Sequence, residues 1–346
     1  MKGIREKCIM RKEMHWIDNL KGMCMIAVYL IHSQVYYGVK TDYGYILAPF
    51  YVNAFFFVSG YLFWNKYLGY NSSATIAGGG RNVIFKIVIP TMLFSTILYL
   101  PKMLFHGNTI EWKGFIMWIF GGLSFWFTSA MAVAQLILFG LLLMIKSQKI
   151  WIYLATSVGL FVIGLYLNIS RSSTAAEEFF PWFYMTGLEF TFVMTMGGLY
   201  QTFERDIDKV MKYGLPIALL LYILLISSDW SLHKMKLMGL GGLVDVKGGL
   251  CILSGITLIV TVAKSLPSIA VLKFISRNSI VFYFFSGVFP AAVGAVAKQI
   301  CPGIHYGITL SVALISVVCG TLTTWFITKY LPLLTDLRML YAKRKN

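Results

Sequence analysis

Long apolar runs separated by short polar stretches dominate the chain. About ten of these runs approach the roughly 20 residues that an α-helix needs to cross a bilayer. They lack the period-two alternation of a transmembrane β-barrel. The sequence therefore predicts an all-α, polytopic integral membrane bundle of about ten transmembrane helices. The predicted spans are Ile17–Tyr37, Ile46–Trp64, Asn82–Phe105, Gly122–Ile145, Ile150–Asn168, Trp182–Tyr200, Gly214–Ser228, Gly248–Ala263, Ser279–Ala297 and Tyr306–Ile327.

Composition and loop lengths favour one membrane-embedded domain over the whole chain, 1–346. Of all residues 58% are hydrophobic and 13% are charged, and the mean hydropathy is +0.72. A soluble core cannot bury that much apolar surface, so the expected partner is the lipid bilayer. The core of the domain is expected at about 14–330, and a basic tail is expected at 331–346. Within the core, the longest inner loop is expected at about 65–81. The cysteines have no paired spacing, so no disulfide framework and no metal site are predicted.

The basic residues predict an orientation in the membrane. A net charge of +16 in a soluble protein would suggest nucleic acid, but here it is better explained by cytoplasmic loops beside anionic lipid, and no nucleic-acid partner is expected. An even number of spans places both termini on one side. With both termini inside, the inner segments hold about 22 of the 30 lysines and arginines and the outer loops about 8. We therefore expect cytoplasmic termini in a multi-pass protein of the inner (plasma) membrane.

The first predicted span carries three ionisable residues on one face: Asp18, Lys21 and His32. Lys21 and His32 are eleven residues apart, which puts them about 20° from alignment and about 16 Å apart along a helix. Charged groups inside a membrane cost about 2.5–3.5 kcal/mol each, so they face protein or a wet cavity. Asp18 and Lys21 can snorkel to the near interface. His32 lies too deep for that, and we predict a functional role for it over a hydrogen-bonded core histidine.

Basic and small residues in the next two spans have two possible roles each. Ser59 and Gly60 interrupt an aromatic run, where they can form a packing notch between helices or line a cavity. Arg81 lies at the predicted inner edge of the third span, and Lys86 lies about one and a half turns deeper. Their side chains can snorkel, or they can bind an anionic ligand such as a nucleotide phosphate.

Two further candidates lie in later spans. Trp126 begins the fourth span, where an aromatic belt at the membrane interface would also place a tryptophan. Glu189 lies about two turns into the sixth span. An acidic residue at that depth is a candidate site residue, and a protonated structural glutamate is the alternative.

Five sequence blocks follow one another from residue 16 to about 286, and all but the first two are weak alone. They are Lys21-x10-His32, Phe56-Phe57-Val58-Ser59-Gly60-Tyr61, Arg81…Lys86-Ile87-Val88-Ile89-Pro90, Phe125–Met131 and Ile275–Tyr283. In this order they resemble the acyltransferase-3 family, integral-membrane enzymes that transfer acyl groups, mostly acetyl, to carbohydrate hydroxyls or similar acceptors. The resemblance covers nearly the whole chain.

The resemblance implies an O-acetyltransferase activity, with acyl-CoA, expected to be acetyl-CoA, as donor substrate and no permanently bound cofactor. The acceptor would be a hydroxyl of a cell-surface carbohydrate or glycolipid. His32 would act as general base or carry the acyl group covalently. The other expected roles are catalysis for Lys21 and Asp18, phosphate binding for Lys21, Arg81 and Lys86, and substrate contact for Ser59, Gly60, Trp126 and Glu189.

This arrangement requires a passage between the two ends of the Lys21–His32 stripe. The phosphates of CoA would stay near the inner face while the pantetheine arm spans the distance of about 16 Å to His32. The alternative is a transporter or flippase for a glycan intermediate or small solute, since intramembrane charges also suit transporters. No inverted repeat or pair of broken helices favours that alternative.

Overall fold

The computed structural model describes residues 14–37, 43–68, 72–106, 112–172, 181–227, 246–303 and 305–335. Within these ranges 91% of the residues are helical and none is in a strand, so the fold is all-α. The first helices are α1 His15–Tyr37, α2 Tyr43–Tyr67, α3 Ser73–Val83, α4 Ile89–His106, α5 Trp112–Phe120, α6 Trp126–Ile145 and α7 Ile150–Ser172. The later helices are α8 Tyr184–Thr202, α9 Glu204–Ser227, α10 Val246–Ser265, α11 Ala270–Arg277, α12 Ser279–Phe285, α13 Val288–Ile300 and α14 Tyr306–Tyr330.

Each of the ten predicted spans overlaps a helical segment of the bundle, and Ser228 at the end of the seventh lies outside the described residues. Among the described residues six helices, or seven if the bent α9 is included, are long and apolar enough to cross a membrane. The central helices α1 and α8 are not among the six. Helix α1 packs on α2, α10, α11, α13 and α14, and α8 packs on α2, α6 and α7. Because both contact protein on several sides, they can carry more polar residues than a lipid-facing helix. The count of ten and the cytoplasmic termini remain predictions.

Helices α7 and α14 have an outward apolar surface. Val162 on α7 and Leu314 on α14 are 57% and 67% exposed, in helices whose most apolar stretches are 22% and 33% buried. A soluble protein rarely leaves such continuous apolar surface in water. These helices are therefore suited to contact lipid, as expected for a multi-pass membrane protein.

Glycines bring the backbones of α2 and α8 into contact. A Cβ atom at Gly60 would lie 1.8 Å from the carbonyl oxygen of Met194, and one at Gly197 would lie 1.9 Å from the carbonyl oxygen of Phe57. Small residues at such crossings allow close helix association within a membrane. The two helices α2 and α8 therefore pack closely, and α2 carries several of the candidate site residues.

The stretch expected as the longest inner loop is largely helical, which corrects the prediction. Helix α3 covers 73–83 and contains the three glycines, because Gly79 packs where a Cβ would lie 2.3 Å from the Phe139 ring. A π-helical turn, Ile84–Val88, joins α3 to α4. Pro90 has no N–H to donate to the carbonyl of Lys86, so the regular hydrogen-bond pattern cannot continue there.

Candidate active site

His32 lies near the C-terminal end of α1 and faces a small internal cavity. Its ring stacks on Tyr36, with centroids 5.9 Å apart and planes inclined by 14°. The cavity is closed on the other sides by residues from α1, α2, the start of α6, and α12. They are Val28, Tyr51, Val52, Phe55, Trp126, Phe127 and Tyr283. The imidazole therefore faces the protein interior, as the sequence predicts.

The cavity is small and mostly apolar. Its volume of about 30 Å³ has room for about two water molecules. The polar side chains that reach it include His32 and two tyrosines, Tyr51 and Tyr283. A histidine beside a volume of this size can take a proton from a small reacting group that enters it.

Asp18 and Lys21 do not approach His32, although they share its helix face. The Lys21 ammonium donates to the carbonyl oxygen of Ser276 at 3.0 Å, and the Ser276 hydroxyl donates to an Asp18 carboxylate oxygen at 2.8 Å. Ser276 lies in the last turn of α11, where backbone carbonyls lack helical partners and a cation is stabilising. Lys21 is about 16 Å from His32 along α1, too far to act on the same atoms.

Asn19 adds to this attachment between α1 and the α10–α11 connection. Its side-chain amide donates to the carbonyl oxygens of Leu266 and Pro267 at 3.3 and 3.0 Å. Its own oxygen accepts from the N–H of Ile269 at 3.4 Å. The polar residues of the first turns of α1 therefore fix the helix to its neighbours, so Asp18 and Lys21 bind protein at Ser276 instead of snorkelling to the interface.

Basic side chains from α2, α3 and the π-helical turn surround two adjoining grooves, which we call the basic groove. Lys66 and Arg81 line a space of about 460 Å³. Lys66, Lys86 and Ser59 line a neighbouring space of about 400 Å³. The two spaces also share Asn82. Each volume lies in the range of small-molecule sites, and three cations favour a polyanionic ligand.

The basic groove and the His32 cavity use the same helices at different depths. On α2, Phe55 lines the cavity and Ser59 lines the groove, about 6 Å apart along the axis. On α12, Tyr283 lines the cavity and Ile280 lines the groove. The two spaces are separate in this structure, and Lys21 lines neither of them, so the open passage expected from the sequence between Lys21 and His32 is not found in the described part of the chain. The rings of Phe55 and Phe127 contact each other at the cavity wall, with centroids 5.5 Å apart.

A family model described as an acyltransferase domain matches residues 14–330, nearly the whole chain. The chain belongs to the acyltransferase-3 family. Searches of curated proteins and of solved structures find no match. Membership in this family shows that the protein is a membrane acyltransferase. The His32 cavity lies where several of the family's sequence blocks meet.

In this acyltransferase the four residues expected to contact substrate do not lie together. Ser59 lines the basic groove and Trp126 lines the His32 cavity. Gly60 packs against α8, which supports its alternative role as a packing notch. Glu189 is 2% exposed between α7 and α8, where the side-chain amide of Asn168 donates to it. The structure does not bring Glu189 to the cavity, so its structural alternative is favoured.

Two residues of the acyltransferase were missed as site residues from the sequence. Lys66 ends α2 and resembles an ordinary basic residue at a membrane interface. Tyr283 ends the last family block, but nothing in the sequence places its side chain opposite His32. Both emerge only when helices distant in sequence are packed together.

Proposed function

We propose that this acyltransferase moves an acetyl group from cytosolic acetyl-CoA to a hydroxyl of a cell-surface carbohydrate or glycolipid at the inner membrane. One observation carries the proposal. His32 faces a small, mostly apolar cavity, and the basic groove begins about one helical turn away on the same helices. A long donor with an anionic head and a small reactive end fits such a pair of spaces.

The basic groove would hold the nucleotide phosphates of CoA. Arg81 can pair with a phosphate through two N–H groups, while Lys66 and Lys86 supply point charges. Lys21 is not among the residues that line the groove, and its ammonium already binds the Ser276 carbonyl. We therefore assign phosphate binding to Arg81, Lys86 and Lys66, and assign Lys21 a structural role.

His32 would act as general base on the acceptor hydroxyl, a role worth about 10²–10⁴-fold in rate. The acceptor oxygen would attack the thioester carbonyl carbon, and the C–S bond would break. The CoA sulfur would take the proton from His32. The alternative is a covalent acyl-His32 intermediate. It would be recognised by label that stays on the protein after the donor is removed, which direct transfer would not give.

The dimensions of the cavity favour a short acyl chain. Room for about two water molecules suits a carbonyl group and one methyl group, whereas each further methylene requires displacement of packed side chains. Val28, Val52 and Phe55 form apolar walls. These contacts support acetyl over longer groups.

The test uses purified protein in detergent with radiolabelled acetyl-CoA and glycan fractions from the membrane. Wild type should transfer label to a glycan or, without an acceptor, release labelled acetate slowly. His32→Gln should lower either rate at least about 100-fold, with unchanged protein yield. His305→Gln is the matched control, because His305 precedes α14 in a loop. It should retain wild-type activity.

Two results would contradict the proposal. Full transfer by His32→Gln would remove the histidine from the chemistry. Absence of label transfer and of thioester hydrolysis by wild type, together with solute uptake into liposomes, would favour the transporter alternative.

A further inference from the structure

Tyr283 lies at the His32 cavity, where its hydroxyl proton has no acceptor among the described residues. Its side chain is 8% exposed and lines the same space as the imidazole. The backbone N–H of Phe127 donates to the Tyr283 oxygen at 3.3 Å. Among the described residues no group accepts the O–H of Tyr283 in return. Buried polar hydrogens are nearly always used, so this donor beside the cavity is available to an acceptor atom of a ligand that enters it.

The ring of Tyr283 is fixed by its neighbours. Phe127 and Phe125 pack on it with ring centroids 5.1 and 5.9 Å away. Phe127 is the second residue of α6, so its N–H is one of the first-turn donors that the helix itself leaves unused. An N–H that donates to a phenol oxygen polarises the O–H and strengthens it as a donor. The proton is therefore directed at the cavity from a rigid support.

We propose that the Tyr283 hydroxyl donates to the carbonyl oxygen of the donor thioester and stabilises the negative charge that develops there. The inference rests on the proposed acyl transfer at His32. As the acceptor oxygen bonds to the carbonyl carbon, its proton moves to His32 and the carbonyl π electrons move to the oxygen held by Tyr283. When the C–S bond breaks, these electrons re-form the carbonyl. The CoA sulfur leaves with the electron pair of that bond and takes the proton from His32.

The arrangement separates two tasks that one residue cannot perform together. His32 needs a free lone pair to accept the acceptor proton, while the developing oxyanion needs a hydrogen donor. Residues from α1 and α12 supply one each to the same small volume. Tyr51 lines the cavity too, but no donor of the described chain fixes its hydroxyl as Phe127 fixes that of Tyr283.

The test compares Tyr283→Phe with Tyr29→Phe in the acetyl-transfer assay. Tyr29 is the matched control because its hydroxyl donates to the carbonyl of Phe282 at 2.9 Å, next to Tyr283, and it does not line the cavity. Loss of one oxyanion donor costs about 10²–10³-fold in kcat. Tyr283→Phe should show that loss with the KM for acetyl-CoA within about threefold of wild type. Tyr29→Phe should keep its kcat.

The outcomes separate this inference from the proposed function. If wild type transfers acetyl and Tyr283→Phe keeps its kcat per folded protein, Tyr283 is not the oxyanion donor. If wild type itself is inactive, the acyl transfer at His32 fails first. Should Tyr283→Phe fold poorly, a ring-fluorinated tyrosine incorporated at position 283 fills nearly the same space with a more acidic hydroxyl. Its kcat should change more than about twofold, and an unchanged kcat would overturn the inference.

Discussion

Lys21 and His32 lie on one face of α1 but bind different surroundings. The ammonium of Lys21 caps the last turn of α11 through the Ser276 carbonyl, while the His32 imidazole faces the cavity. The helix period predicts the shared face, and this part of the prediction holds. It cannot predict that a short helix 255 residues later in the chain ends against Lys21. Residue type alone therefore cannot separate a structural cation from a catalytic one.

Lys21→Met should destabilise the protein without weakening donor binding. Removal of the ammonium leaves the Ser276 carbonyl unpaired, a loss of about 1–3 kcal/mol. Thermal unfolding in detergent should show a lower midpoint, while the KM for acetyl-CoA stays within about twofold of wild type in the folded fraction. A large increase in KM at unchanged stability would return Lys21 to the phosphate site.

Lys66→Gln should have the opposite effect to Lys21→Met, because it should weaken donor binding without destabilising the protein. Loss of one charged contact to a phosphate is worth about 1.5–3 kcal/mol, or about 10–100-fold in donor KM. The unfolding midpoint should not change, because Lys66 is exposed at the end of α2. Lys209→Gln serves as control, since Lys209 is 77% exposed and pairs only with Asp206 at 3.4 Å among the described acidic residues. Equal KM values for both variants would exclude Lys66 from donor binding.

At the scale of helices, the apolar pattern predicts that a helix is present better than it predicts where the helix begins and ends. The third span is expected from Asn82, but helix begins at Ser73, and the glycines at 78–80 lie within α3 instead of forming a loop, with Gly79 packed on Phe139. The seventh span is expected from Gly214, yet α9 begins at Glu204 and bends by 66° near Lys212. Pro216 explains the bend, because its ring clashes with the carbonyl four residues earlier. The effect of a glycine or a proline on a helix thus depends on its packing partners, which cannot be read from the sequence.

Gly60→Ala tests the contact between α2 and α8. The new methyl group would meet the Met194 carbonyl, a rigid backbone atom, so the two helices must separate and the bundle should lose stability by about 1–3 kcal/mol or more. Gly78→Ala is the matched control because no heavy atom lies within 4 Å of its Cβ position. Alanine there should leave stability unchanged or raise it by about 0.5–1 kcal/mol. Wild-type unfolding of Gly60→Ala would show that α2 and α8 are not in contact.

At the scale of the whole molecule, the helix class follows from composition, whereas the site depends on packing. The central helices α1 and α8 are among the less apolar, while α7 and α14 expose apolar side chains outward. A soluble protein places apolar side chains inside and polar ones outside, and this arrangement is the reverse, as a protein surrounded by lipid requires. The residues of the His32 cavity come from α1, α2, α6 and α12, and those of the basic groove also from α3 and the π-helical turn. No periodicity encodes the order of these elements in space. For that reason Ser59 and Trp126 are found at the site, while Gly60 and Glu189 are found in helix interfaces.

The separation of the basic groove from the His32 cavity leads to a prediction about acyl length. Phe55 and Phe127 form an apolar wall that the pantetheine arm of CoA would have to pass under the proposed function, and their packing leaves little room beside His32. Phe55→Leu should widen the cavity and raise kcat/KM for butyryl-CoA relative to acetyl-CoA by about 10-fold or more, since pocket methylenes are worth about 1–3 kcal/mol. Phe94→Leu removes the same volume where Phe94 stacks on Phe284, 4.4 Å away, and should leave the ratio unchanged. Competition assays with the two thioesters measure the ratio directly. Equal shifts in both variants would mean that general loosening of the bundle, and not the wall at Phe55, limits the acyl chain.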